Sequence, residues 1–433
     1  MTTKIKFSVL ILMMACSSFA QNINIAKLDS LFQILETKDK YMGSIAISEN
    51  GKLLYKKSIG KADIENNKLS TTETKYRIAS ISKMFTACLI FKAVEENKIN
   101  LNQTINKYFP TILNSNKITI GNLLSHRSGI HDFTNDEKTP KNTKEMVEII
   151  TNGKSDFEPN SKAEYSNSNY VLLSYILEKA YNKKYAEILN LKIVKPLELK
   201  NTYFGNEINI QNNECYSYKY QNKWIKKNET DISLIMGAGA IVSNPSDLVI
   251  FAQKLFDKKI INQNSLNQMI TIKDNFGMGI FQIPFYDKKG FNHTGVIDGF
   301  SSDLSYFPEN NLTIALTSNG NIYDNNNIMI AVLSNYFGKK FEIPNFKTIE
   351  LKTEDLDQYL GEYSSPTFPL KITIVKDKTK LFAEAPGQPT FPFDATEKDC
   401  FEFVSAGIKL KFTPENKEME INQSGKKFIL TKK

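Results

Sequence analysis

Three short blocks stand in order along the chain: Ser80-Ile81-Ser82-Lys83, Tyr165-Ser166-Asn167 and His293-Thr294-Gly295. A serine hydroxyl is a poor nucleophile until a neighbouring base takes its proton and donors hold the oxyanion that follows attack. A lysine three positions after a serine shares its face of a helix, which places Lys83 to be that base. It can serve only as a free amine, and burial among residues such as Phe85 and Leu89 is what would lower its affinity for a proton. Two other Ser-x-x-Lys stretches, Ser58 to Lys61 and Ser424 to Lys427, precede no apolar helical run. Ser80 does, with Met84 to Val94 behind it, and its hydroxyl then falls at the positive end of a helix.

The elements that must hold these blocks are read from periodicity. Residues 43–48 and 52–58 are β-prone runs split by Glu49-Asn50-Gly51, a strong hairpin signal. From 80 to about 281 the pattern turns helical, with apolar residues three and four apart over 82–94, 146–150, 170–180, 185–194 and 247–256. Asn244-Pro245 opens the last run, and Asp247 suits its positive end. Strands return over 299–307 and 312–318, and 328–337 reads as a closing helix. Strands at both ends imply an antiparallel sheet flanked by helices with an inserted helical region, an α/β (α+β) arrangement. Beyond 353, alternating runs at 370–375, 380–383 and 408–412 separated by turn residues predict a small C-terminal all-β domain. The expected division is 1–20 as a signal peptide, 21–345 as the domain carrying the three blocks, and 346–433 as the β domain.

With 433 residues, 41% of them hydrophobic, the chain can bury a large core. Lys4 and Lys6, an apolar run over 7–15 and Ser18-Phe19-Ala20 follow the layout of a secretory signal, so cleavage is expected after Ala20. The run is shorter than the roughly 20 residues that span a bilayer. Secreted or periplasmic placement follows; the alternative is a lipoprotein anchored at Cys16, to which Met13-Met14-Ala15 is a poor approach. Cys88, Cys215 and Cys400 are widely spaced and imply no disulfide framework. The formal charge of +8 comes from Lys scattered among Asn and Glu, with Arg77 and Arg127 as the two arginines, and forms no stripe for nucleic acid. His126, His131 and His293 lack metal-ligand spacing, so neither a metal nor a cofactor is expected. The absence of a GxSxG elbow weighs against a relay through His126 and Asp298. His126, Arg127 and Arg77 read as structural residues near the site.

As an ordered set, the three blocks resemble the motifs of the penicillin-recognising serine hydrolases, the superfamily of class C β-lactamases, DD-peptidases and related esterases. The 85 residues from Ser80 to Tyr165 suit that superfamily's helical insertion. Leu123 to Gly129, Gly237-Ala238-Gly239, Ser243 to Asp247 and Gly299 to Ser302 match as well, so the likeness covers about 25–340. The resemblance implies that Ser80 is acylated, that Lys83 and Tyr165 move protons, and that Asn167 orients Lys83 and binds the substrate amide. It assigns the oxyanion hole to the backbone N–H groups of Ser80 and Val296, and the substrate-binding strand to His293, Thr294 and Gly295. The implied activity is acyl-enzyme hydrolysis, DD-carboxypeptidase-like or β-lactamase-like, with D-amino-acid peptides, cell-wall peptide among them, or β-lactams as substrates. A carboxylesterase and a non-turnover acylated sensor or wall-binding protein are the alternatives. The third block usually begins with Lys. An imidazole in that place loses its charge near pH 6.5, so help to an anionic substrate is expected to fade across neutrality, unless His293 instead holds Tyr165 by a hydrogen bond.

Overall fold

Asn50 and Gly51, both at positive φ, turn the chain between β1 (Tyr41–Glu49) and β2 (Lys52–Ile59), where Asn-Gly predicted a hairpin. The computed structural model describes residues 23–433 apart from 136–141, 222, 405–406 and 424–425; the expected signal peptide, its expected cleavage point and Cys16 lie outside the described residues. Four later strands complete one antiparallel sheet: β3 (Phe281–Phe285), β4 (Lys288–Ile297), β5 (Phe300–Phe307) and β6 (Leu312–Asn321). Their order is β3-β4-β5-β6-β1-β2, so the two ends of this region meet where β6 pairs with β1 from Tyr41↔Asn321 to Glu49↔Leu312.

β1 is buried on both faces, which is why it reads as an unbroken run of small and apolar residues rather than an alternation. One face packs on α1 (Ile25–Thr37), through Leu28, Leu31, Phe32 and Leu35, and on Ile328 and Val332 of the last helix of this region. The other face meets the helical region. There α2 (Ser82–Glu95) is buried almost all round, as a helix at the centre of a core must be. It lies against α3 (Asn167–Tyr181) and α4 (Pro245–Phe256), with Phe85 stacked on Phe251 at 3.7 Å between ring centroids. Asn244 caps α4 by accepting from Asp247 N–H, with Pro245 at its first turn. The closing helix, α5, spans Asn325–Tyr336.

The C-terminal part is a closed eight-stranded barrel running from Gly361–Ser365 to Lys426–Lys432, shut by the pairing of Tyr363 with Lys432. Eight strands leave an interior that side chains just fill, and Leu381, Phe393, Phe401, Leu410, Phe412, Met419 and Leu430 fill it. Among the described residues, no helix is long and apolar enough to cross a membrane.

Candidate active site

Ser80 sits in a single tight turn, Ala79–Ile81, that leads into α2. Ala79 holds φ at +47°, a left-handed conformation that costs an L-residue about 1 kcal/mol or more. The surroundings impose it. Ile78 N–H donates to Ile241 O (3.0 Å), Ser302 Oγ donates to Ile78 O (2.9 Å), and Ser82 Oγ accepts from Ile241 N–H (3.1 Å). The kink leaves Ser80 half-buried while Ala79, Ile81 and Ser82 are all buried.

Lys83, one turn on, has no exposed surface. Its Nζ lies 2.8 Å from Asn167 Oδ1, 2.8 Å from Ala238 O and 3.0 Å from Ser80 Oγ. Burial lowers its pKa to about 7, against the opposing charge of Asp132. A free amine has two N–H donors and one lone pair. Asn167 Oδ1 and Ala238 O can only accept, so they take the donors and the lone pair is left for the Ser80 O–H.

Tyr165 completes the group. Its hydroxyl hydrogen-bonds Ser80, and burial pushes its pKa above the usual phenol range despite that bond, so it stays protonated at neutral pH. Lys83 Nζ lies 4.8 Å from the centre of its ring. His126 fixes the segment: its ring stacks on Tyr165 at 4.6 Å, its carbonyl accepts from Glu164 N–H (2.9 Å), and its Nδ1 accepts from Ser166 N–H (3.1 Å). The structural reading of His126 therefore acquires a particular object, the catalytic candidate Tyr165.

The third block lies on β4, which runs against the Ser80 turn. A Cβ built on Gly295 would come within 2.3 Å of Ile78 O and 3.0 Å of Ser80 N, so only glycine fits. Val296, next along the strand, is 74% exposed, and Thr294 is exposed on the side of the pleat that pairs with Asp303. His293 lies on the buried side with Gly295. Burial, and then the nearby Lys83, lower its pKa to about 3, so it has no charge to lose near neutrality and the expected fading does not follow. Nor does it hold Tyr165. Its Nδ1 pairs with Thr294 O at 2.6 Å, and its buried Nε2 has no hydrogen-bond partner among the described residues.

Both arginines are occupied. Arg77 binds Glu229 (2.9 Å), Asp298 (3.4 Å) and the carbonyls of Thr230 and Asn206, tying the end of β4 to the loop at 228–232. Arg127 pairs with Asp274 and Asn160. Asp132 escaped the sequence reading. Its carboxylate accepts both the backbone N–H and the side-chain Nδ2 of Asn167, and the sequence signal was only an Asp two residues before a Thr, a common turn. Among the described residues, no group of three or more His, Cys, Asp or Glu side chains could hold a metal ion.

The sheet with its helical insertion, and the Ser-x-x-Lys pair opening a buried helix beside a Tyr-x-Asn segment and a His-Thr-Gly strand, define the class of penicillin-recognising serine proteins. The family model described as Beta-lactamase matches residues 33–341, and the chain belongs to that family. It is 33% identical over 243 residues to the teichoic acid D-alanine hydrolase of Staphylococcus aureus, a match spanning 52% of this chain and 59% of that protein. Among solved structures it is similar to D-amino acid amidase from Ochrobactrum anthropi, with 25% identity, TM-score 0.64, and coverage of 72% of this chain and 99% of the other. The octameric penicillin-binding protein homologue from Pyrococcus abyssi shares the fold over 94% of this chain and 100% of its own, with 22% identity and TM-score 0.68.

Proposed function

We propose that this chain is a serine hydrolase that forms an acyl-enzyme on Ser80 and acts on D-aminoacyl esters or amides. The observation that carries the reading is the 3.0 Å approach of Ser80 Oγ to a buried Lys83 amine, whose pKa burial lowers to about 7. As Oγ bonds the substrate carbonyl carbon, its proton moves to Lys83 Nζ. The oxyanion is received by the backbone N–H groups of Ser80 and Val296, where one such donor contributes about 2.7–4 kcal/mol in other serine enzymes. Tyr165 gives its proton to the leaving alkoxide or amine nitrogen and regains one from Lys83 as the C–O or C–N bond breaks. A water then attacks the acyl carbonyl, passing its proton to the freed amine, and Ser80 leaves as the alcohol. Asn167 orients the amine, while the backbone of Thr294 and Gly295 lines the substrate.

The substrate class follows from charge. A DD-peptide ends in a carboxylate that calls for a fixed cation, yet Arg77 and Arg127 are held by their own partners and His293 is neutral. A D-aminoacyl ester or amide needs none. The relatives' names, a teichoic acid D-alanine hydrolase and a D-amino acid amidase, agree with this choice. Placement outside the cell through the leader at 1–20 suits wall-linked D-alanyl esters.

The test compares D-alanine methyl ester, D-phenylalanine amide, a D-Ala-D-Ala peptide and nitrocefin as substrates, with intact mass recorded during turnover. Ester and amide should be cleaved at least about tenfold faster than the peptide. A transient adduct should map to Ser80 and vanish in Ser80→Ala. Turnover that survives Ser80→Ala rejects the mechanism, and preferential release of D-Ala from the peptide rejects the substrate class.

A further inference from the structure

Asp132 lies beside Asn167 and is 8% exposed. Its Oδ2 accepts from Asn167 N–H (3.1 Å) and Asn167 Nδ2 (3.0 Å), and its Oδ1 accepts from Thr134 N–H (3.1 Å) and Thr134 Oγ1 (2.8 Å). A carboxylate only accepts, so it receives the Asn167 amide by its NH2 end and turns the Oδ1 end to Lys83. Were that amide reversed, its NH2 would claim the lone pair of the free amine, and Ser80 would lose its base.

We propose that Asp132 is a positioning residue that acts through Asn167: it fixes which way the lone pair of Lys83 points. The carboxylate also bears on the Lys83 amine by its charge, opposing release of the proton. The inference rests on Lys83 being the base. Around Lys83, His126 and His293 are held uncharged at neutral pH by burial, Tyr165 and Tyr170 are held protonated, and the contact from the 236–239 segment is the neutral carbonyl of Ala238. Among the described residues, Asp132 is the charged group that bears on the amine.

The experiment measures the rate of Ser80 acylation against pH, using a p-nitrophenyl ester and a fluorophosphonate with the adduct located by mass spectrometry. The proteins are the wild type, Asp132→Asn and Thr134→Val. An unlabelled Ser80 in the wild type sinks the proposed function itself, whatever Asp132 does. With Ser80 labelled, Asp132→Asn should move the midpoint of the rising limb to lower pH by about half a unit and lower the plateau about tenfold. Thr134→Val, which loosens the carboxylate and keeps its charge, should lower the plateau at an unmoved midpoint. A folded Asp132→Asn whose profile superimposes on the wild type overturns the inference. Should that variant fail to fold, Asp132→Glu takes its place: a lowered plateau with the midpoint kept supports the inference, and an unchanged plateau overturns it.

Discussion

On the proposed mechanism, in which Lys83 is the base, the lone pair of its amine governs how this site responds to pH. Lys83 has a lowered pKa, and its useful form is the free amine, so kcat/KM for an ester should rise with pH through about 7 and level off above it. Tyr165 is pushed above the usual phenol range and adds no falling limb below about pH 10. A profile that falls across pH 6–8 would contradict this assignment. Because His293 is already uncharged, His293→Gln should leave the midpoint in place. His293→Lys should move it lower by adding a like charge beside Lys83. Both follow from initial rates across pH 5–10. Residue types and spacing made Ser80, Lys83 and Tyr165 legible in the sequence. The neutrality of His293 was not, because it depends on burial in the folded chain, with Phe281 packed on its ring, which spacing does not encode.

At the level of elements, the site exists where β4 is pressed against the turn that opens α2. Gly295→Ala would drive a methyl into Ile78 O and Ser80 N, so either β4 or the turn must move. The expected result is a kcat lower on the order of 10²-fold, with stability reduced by about 1–3 kcal/mol. Steady-state kinetics and urea unfolding check the two separately, and a full-rate Gly295→Ala would mean that β4 does not form part of the oxyanion site. The β1–β2 hairpin, α2 and α4 were readable from an Asn-Gly turn, an apolar run and an Asn-Pro cap. The left-handed Ala79 was not, since tertiary bonds to Ile241 and Ser302 impose it on a residue with no preference for that conformation.

Across the whole molecule, the barrel has its own filled interior, and the bonds that reach it from the rest of the chain include Ile349 N–H to Ala395 O and Asn327 Nδ2 to Val404 O. A chain ending at residue 345 should therefore keep its rate on a small chromogenic ester within about threefold, while a drop of 10²-fold or more would make the barrel part of the working site. The sequence showed β texture after 353; ring closure depends on Tyr363 meeting Lys432 some seventy residues later, a pairing that local alternation cannot announce. Of the ionisable side chains in 353–433, twelve are Lys and thirteen are Asp or Glu, and pairs such as Lys409–Glu402 and Lys427–Glu420 cancel them locally. The excess positive charge thus belongs to residues 1–352, which carry +9 against −1 for 353–433, and a polyanionic polymer would be drawn there first. Closure also has a topological result: the ring offers no raw hydrogen-bonding rim onto which a foreign peptide or a sister molecule could zip. Whatever docks on that module has to recognise its outward side chains and turns.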